Sequence, residues 1–524
     1  MKTLLLSTIQ KPLGIDNELC TKNIQAEMYH AQVTLAQDVF SLRAHCSGWG
    51  LEFIAANLES PTTVLHYPSE RMFIREIKKN YDFVGISFVM CTFPKARRLC
   101  ELIRKYAPQS KIVLGGYGTV LGECDQYGDY VCREEGVNFL KRILEEEEVS
   151  TFKTPDIVRK ISILSVTNRS EAIISVGLGC SRGCDFCCTS HFFHERYIPL
   201  LKTGKELNEA MLRIDSKNST IRNFGIVDED FLAPRERSLE MATLNALEVD
   251  KPILFSCLTS LKSLSQYTIE QLLSMGLFGA WAGIESQQAK YSKLKDINPP
   301  EMFRTLQEAG ISMLASMIIG FDWHDKQTVE NDFQYLLSVH PTLSQLMIYS
   351  PCPQTPLFRK YQNEDRLLEI PYLKRDGFHL LFKHPHFSAE QLEKLLMELF
   401  HREYEELGPS IFRIQDVQLQ GYNYLEGTVN PQFIARRREN KRLCLDIYPL
   451  LKTGITKAPS TKVRNQLIDL KQRTEHTFQI SRSDKIKGNL APVLYYISKL
   501  KTFLDLKPTV KTEKHTYNQN LKIH

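Results

Sequence analysis

No stretch of this chain holds an apolar run near the ~18 residues that a membrane-spanning helix needs, which predicts a soluble or peripheral protein. The N-terminus, MKTLLLSTIQKP, carries one lysine and a leucine run too brief for a signal-peptide core, and no small-residue cleavage site follows it. It reads as a buried first strand. Repeats of solenoid period and low-complexity tracts are absent, which sets aside solenoids and disordered scaffolds. The chain also lacks a recognisable nucleic-acid module, so no nucleic-acid partner is expected and a tRNA-modifying role is disfavoured. Its 13 cysteines are an odd number scattered without a secretory signal, which excludes a disulfide framework and points to the reducing cytoplasm.

What is present is enough apolar content for several cores. The 524 residues, 43% of them hydrophobic, allow roughly three to four domains of about 150 residues each. Residues 1–150 alternate strand and helix patterns, with short β-branched or aromatic runs at 3–6, 83–89 and 111–114 and the helical ARRLCELIRKYA between the last two. This predicts a doubly wound, Rossmann-like α/β domain, whose ligands sit at the carboxyl ends of the strands, at Ser87 and the pair Gly115 and Gly116. Residues 151–171 read as a polar linker. From 172 to 365, candidate strands at 173–179, 221–227, 252–257, 278–285, 312–319 and 345–350 recur with helical segments between them. Parallel crossovers of that kind build a partial (β/α)6 barrel, with function at the C-terminal strand ends. Residues 366–508 turn helical, with Leu392, Leu395, Leu396, Leu399 and Phe400 on one helix face, and residues 509–524 read as a disordered tail.

The net charge of +5 hides an asymmetry. Residues 431–524 carry 20 Lys and Arg against 7 Asp and Glu, whereas residues 1–430 carry 46 against 54. The basic segment contains the amphipathic VLYYISKLKTFLDLK, which predicts peripheral contact with a membrane surface; docking on the protein's own barrel is the competing reading.

The strongest local signal is GLGCSRGCDFCCTS, which sets Cys180, Cys184 and Cys187 after a predicted strand. Three thiolates within eight residues can wrap one iron–sulfur cube and leave one iron without a protein ligand, open for chemistry. A structural zinc site would need a fourth ligand, for which Cys188 or His191 is available. Cys91, Cys100, Cys124 and Cys132 are too dispersed for a second cluster. Cys257 and Cys352, near strand ends, and the aromatic run His191, Phe192 and Phe193 fit either plain packing or the surroundings of a reaction centre.

CSRGCDFC resembles the defining motif of the radical S-adenosylmethionine superfamily, including the aromatic Phe186 before the third cysteine. The resemblance implies a 4Fe-4S cluster on Cys180, Cys184 and Cys187 whose open iron chelates S-adenosylmethionine and cleaves it to a 5′-deoxyadenosyl radical, with an electron from a reductase such as flavodoxin or ferredoxin. It further implies that Phe186 and the IVDEDF residues Asp228, Glu229 and Asp230 lie near the methionine end of that cofactor. Glu285 and Ser286 in AGIES would contact its ribose, and Ile319 and Gly320 in MIIGFD would flank its adenine, with Tyr349 closing the sixth strand. Within the superfamily the chain resembles the branch with an N-terminal cobalamin-binding domain. Ser87, Gly115 and Gly116 match that module's serine and glycine pair, CREEG resembles its end turn, and SPCPQTPLF resembles a turn of the branch, with Gln354 where glycine is more usual. The branch's Asp-x-His-x-x-Gly loop after the first strand is absent, so two alternatives stand: cobalamin held without a lower histidine, or a docking domain that binds no corrin. The implied activity is a cobalamin-dependent methyltransferase acting on an unactivated carbon of a lipid, isoprenoid or natural product. The alternative is a cobalamin-independent radical enzyme that couples, cyclises or oxidises an apolar substrate.

Overall fold

The computed structural model of the chain describes residues 2–9, 32–45, 48–163, 166–218, 220–247, 252–289, 291–503 and 512–518. In chain order the strands are β1 (Leu4–Thr8), β2 (Arg43–His45), β3 (Thr62–His66), β4 (Phe83–Ser87), β5 (Lys111–Gly115), β6 (Tyr130–Val131), β7 (Ile157–Ile163), β8 (Val166–Ser175), β9 (Gly177–Leu178), β10 (Ile198–Pro199), β11 (Ile221–Val227), β12 (Phe255–Leu258), β13 (Leu277–Glu285), β14 (Ser312–Ile319), β15 (Leu343–Ile348) and β16 (Glu513–Tyr517). Two large sheets result, in the orders β16-β3-β1-β4-β5-β6 and β15-β14-β13-β12-β11-β8-β7-β2.

In the first sheet β3, β1, β4, β5 and β6 run parallel. β1 is wholly buried because helices cover both faces: Leu4 and Leu6 pack with Leu51 and Leu140 on one side, and Leu5 packs with Phe73 and Leu99 on the other. Chain order reverses about β1, which opens a crevice at the carboxyl ends of the strands. The segment after β1, where the missing histidine loop would stand, lies outside the described residues.

The disordered-tail reading of 509–524 is corrected within its described part. Glu513–Tyr517 adds to the first sheet as an antiparallel edge strand, from Glu513 opposite His66 to Tyr517 opposite Thr62. Its polar side chains have partners far along the chain, Lys514 with Glu76 at 2.7 Å and His515 with Glu52 at 2.6 Å. The linker reading of 151–171 is corrected too, since β7 and the start of β8 form an antiparallel hairpin. IVRKISI is rich in β-branched residues, which suit a strand, and Arg159 pairs across the hairpin with Glu171.

β8, β11, β12, β13, β14 and β15 are parallel and adjacent in chain order, an open array of six. Three strands differ most from expectation: β12 begins at Phe255, β15 spans Leu343–Ile348 so that Tyr349 follows the sixth strand, and the run 173–179 divides, β8 ending at Ser175 before the short β9. The helix Ala389–Leu407, opened by a capping box of Ser388 and Gln391, buries Leu392, Leu396, Leu399 and Phe400 against this array, with Leu395 half-buried. No helix among the described residues is long and apolar enough to cross a membrane.

Candidate active site

The cysteine loop follows β9 and runs into the short helix Cys188–Phe192. Its shape is held by its neighbours. Cys187 N–H donates to Cys184 O at 3.0 Å, Ser190 Oγ donates to Cys180 O at 2.7 Å, and Tyr291 Oη donates to Asp185 Oδ1 at 3.0 Å. His191 Nε2 lies 3.1 Å from Cys184 O, and since a carbonyl only accepts, that nitrogen carries the proton. His191 therefore ties the loop and is not presented as a metal ligand. Cys188, a free thiol, is engaged in a hydrogen bond with the free thiol of Cys352, which is buried against Phe192 and Phe193, so it is not presented as a ligand. Burial pushes the thiols of Cys180, Cys184 and Cys187 up, that of Cys187 to about 12. Thiolates in such a setting call for a compensating cation, as a metal centre would supply.

The three carboxylates after β11 separate into two kinds. Asp228 accepts from Tyr197 Oη at 2.7 Å and from Arg237 at 3.2 Å. Asp230 accepts from Arg182 at 2.5 Å, Thr259 at 3.0 Å, the Ser260 N–H at 2.9 Å and Ser263 at 3.1 Å. Asp230 thus ties the cysteine loop to the turn after β12, and Asp228 ties the turn after β11 to Tyr197 and the following helix. Glu229 has no cationic partner; burial, then the Asp228 charge, raises its carboxyl to about 7, opposed by the Thr189 hydroxyl.

Glu285 ends β13, whose register shifts between Gly283 and Glu285, and it adopts φ +53°. A bulge and a left-handed non-glycine residue at a strand end re-aim a side chain at a cost in strain. One carboxylate oxygen bonds Lys293, and the other is buried with no hydrogen-bond partner. Lys293, absent from the sequence reading, lies 5.6 Å from the centroid of the ring of Phe186, which stands between Cys184 and Cys187 in sequence. Burial works against its charge, but the Glu285 carboxylate and then Cys184 outweigh it and raise its pKa.

Ser286 Oγ accepts from Trp323 Nε1 at 3.3 Å and from the Gln288 N–H at 3.2 Å. His324, fully buried and also missed, joins two strand ends. Its Nδ1 accepts from the N–H groups of Gly320 and Phe321 at 2.8 and 3.1 Å, so Nε2 donates to Asp332 at 3.0 Å, and Asp332 in turn accepts from the Gln287 N–H at 2.9 Å. Ile319 is buried in the core, and Gly320 takes φ +86° with a Cβ position only 2.9 Å from Leu392, so a larger residue is excluded there. Tyr349 stacks on Phe321 at 5.2 Å, Phe321 stacks on Trp323 at 4.5 Å, and Phe186 meets Phe321 at 5.9 Å. The cysteine loop and the ends of β13, β14 and β15 thus converge.

On the other sheet, Ser87 and Gly115 pair at the ends of β4 and β5. Gly116 takes φ +87°, and a Cβ there would stand 2.6 Å from Phe88 O, so this glycine serves the turn; a Cβ on Gly115 would approach only Cys132. Tyr117, next in the chain, packs edge-on against Phe192 at 5.2 Å and Phe193 at 6.3 Å. With Met90, Val120 and Leu178 these rings form an apolar patch between the carboxyl edge of the first sheet and the cysteine loop.

Comparison with known proteins follows this geometry. No family model matches the chain. A protein of Pyrococcus horikoshii named uncharacterized methyltransferase PH0819 is 23% identical over 235 residues, which are 44% of this chain and 50% of that protein. The chain thus matches about half the length of that curated relative. Among solved structures, the radical S-adenosylmethionine methyltransferase TsrM from Kitasatospora setae, with cobalamin and a 4Fe-4S cluster bound, superposes with a TM-score of 0.55 at 13% identity over 84% of this chain and 99% of its own. The same enzyme with tryptophan substrate and a cofactor analogue gives 0.53 at 13% identity, over 78% and 89%. The chain has that fold.

Proposed function

We propose that this chain is a cobalamin-dependent radical S-adenosylmethionine methyltransferase acting in the cytoplasm on an unactivated carbon of an apolar small molecule: a natural product, lipid or isoprenoid. The observation that carries the reading is the facing of two strand-end edges, one bearing the cysteine loop and the other Ser87 and Gly115, across the patch of Tyr117, Phe192 and Phe193. The TsrM likeness over most of the chain supports it.

The residues fit the groups. Cys180, Cys184 and Cys187 would hold a 4Fe-4S cluster with one iron open. The partnerless oxygens Glu285 Oε2 and Ser350 Oγ are buried acceptors at strand ends, suited to the hydroxyl and ammonium groups of S-adenosylmethionine. Gly115, open above its backbone, and the apolar patch would face a corrin. When bound, the cluster supplies an electron for cleavage of S-adenosylmethionine and the corrin supplies a methyl group. The chain's own part is to orient and to exclude water: the aromatic column of Trp323, Phe321 and Tyr349 walls one side, and His324 with Asp332 fixes two cofactor-facing turns. A flavodoxin or ferredoxin would deliver the electron, and the basic C-terminal region would rest on a membrane surface.

Anaerobic purification with hydroxocobalamin tests the corrin, and dithionite with S-adenosylmethionine tests the cluster. The reading expects a corrin spectrum that survives desalting, and S-adenosylmethionine turnover that requires the three cysteines. A cluster without retained corrin would favour the cobalamin-independent radical enzyme, and zinc in place of iron would overturn both.

A further inference from the structure

The helix Arg482–Phe503 has two apolar sides. Gly488, Ala491, Tyr495 and Ser498 lie inward, Ala491, Tyr495 and Ser498 at 2%, 7% and 7% exposure, and Tyr495 packs on Phe40 at 5.7 Å. The small residues let the helix lie close to the body. Outward runs a second row, Ile486, Leu490, Val493, Ile497 and Leu500, spaced four, three, four and three, with exposures of 60%, 56%, 55%, 45% and 56%. This spacing keeps all five on one stripe for about 21 Å of helix. A helix fully docked on its own barrel would carry polar residues there, so the row is a surface awaiting a cover.

Two covers suit such a stripe, a matching helix and a lipid surface, and the flanks decide between them. A helix pair takes its register and partner choice from opposite charges beside the seam. Here the flanking positions hold Lys487, Asn489, Leu494 and Tyr496, with no carboxylate to meet a lysine from a second copy. Lys485 and Lys487 stand about 100° to either side of Ile486, where long stems can lie along apolar surface while the ammonium groups reach phosphates; Lys487 is paired with Asp484 of the same helix at 3.3 Å, an exposed pair of little strength. Residues 431–524 add 20 basic against 7 acidic side chains, complementary to an anionic surface.

We propose that the outward row of this helix is the membrane-contact face, lying flat in the headgroup region of anionic bilayers with its lysines on lipid phosphates. This rests on the peripheral contact proposed above and assigns it to particular residues. The helix packs on the core built from Phe40, Phe412 and Tyr448, which also takes in Leu314 and Leu343 near the amino-terminal ends of β14 and β15. The carboxyl ends of those strands carry the candidate active site. The face therefore anchors the protein by the end of the barrel opposite the active site.

Flotation of the full chain with vesicles of phosphatidylcholine, with and without phosphatidylglycerol, tests the assignment. Binding is expected only with phosphatidylglycerol, falling with added salt. L490E with I497E should reduce it at least tenfold at unchanged circular dichroism and melting temperature. V429E, a control at a site 90% exposed outside the helix, should bind as the parent does. No binding of the parent to either vesicle would overturn the membrane contact itself. Binding that survives L490E with I497E would overturn the face while leaving a peripheral contact elsewhere. A dimer of the parent that L490E with I497E dissociates, without vesicle binding, would assign the row to a second copy and overturn the proposal.

Discussion

Lys293→Met removes one buried positive charge beside the cysteine loop while keeping most of the side chain's volume. Lys293 Nζ is 5.6 Å from the centroid of the Phe186 ring, which sits between Cys184 and Cys187 in sequence, so a cluster on those sulfurs lies in the next shell of atoms. A unit charge roughly 8 Å away at an effective dielectric near 20 contributes about 2 kcal/mol. Reduction makes the cluster more negative, so losing the cation disfavours the reduced form. At about 59 mV per factor of ten for one electron, the midpoint potential should fall by about 90 mV. The substitution also leaves the Glu285 carboxylate buried and unpaired; the fall is full while Glu285 stays ionised, and proton uptake by Glu285 would offset it. Glu285→Gln with Lys293→Met removes both charges and should bring the potential back toward the parent value; Lys293→Arg should hold it there. The assay is a redox titration followed by electron paramagnetic resonance, on protein of matched iron content. A potential unmoved by Lys293→Met in fully loaded protein would refute the electrostatic role and leave Lys293 a packing residue.

Three further outcomes are expected. Cys187→Ala should abolish cluster assembly, read as iron per chain after anaerobic reconstitution, whereas Cys188→Ala should retain it, because the Cys188 thiol is hydrogen-bonded to that of Cys352. Glu229 is raised to about 7, above its unfolded value, so its contribution to stability is full below the ordinary carboxylate range and is lost as pH rises through about 7; in cluster-free protein Glu229→Gln should be more stable than the parent at about pH 8, by about 1–3 kcal/mol, and equally stable at about pH 4. Asp322 behaves in the opposite sense: burial raises its pKa, but Arg366, at 2.6 Å, and Lys360, also at 2.6 Å, hold it down to about 2, so the pair's contribution is present above the usual carboxylate range and is lost as pH falls toward 2, and Asp322→Asn should cost about 1–2 kcal/mol by denaturant titration at neutral pH.

The parts of the fold written in local periodicity were legible before any coordinates. The six parallel strands and the face of Leu392, Leu396 and Leu399 announce themselves by short apolar runs and by the helical period. β7 and β16 were not, because β7 sets Arg159 and Lys160 side by side, β16 (EKHTY) is polar throughout, and both are stabilised by partners that local pattern cannot name: Glu171 across a hairpin, Glu52 and Glu76 more than 400 residues away. Lys293 was hidden for a related reason. SQQAKYSKLKD reads as a solvated basic run, and only the 3-10 turn Ser292–Leu294, set down beside Glu285, turns one of its lysines inward.

The same limit governs the DED turn, where three adjacent carboxylates looked equivalent. Their difference lies in Arg237 and Arg182, one on the following helix and one inside the cysteine loop itself. Because Arg182 sits between Cys180 and Cys184, its bond to Asp230 fixes the loop to the end of β11, and Asp230 also accepts from Thr259 and the Ser260 N–H just after β12. A carboxylate that anchors three strand ends at once cannot also turn toward a cofactor without releasing them. Asp230 is then a positioning residue for the cysteines, and its loss should be read first in cluster retention. Glu229 differs from both neighbours in that its carboxyl is met by the Thr189 hydroxyl and by no arginine among the described residues, which leaves it the member of the turn whose charge is least compensated.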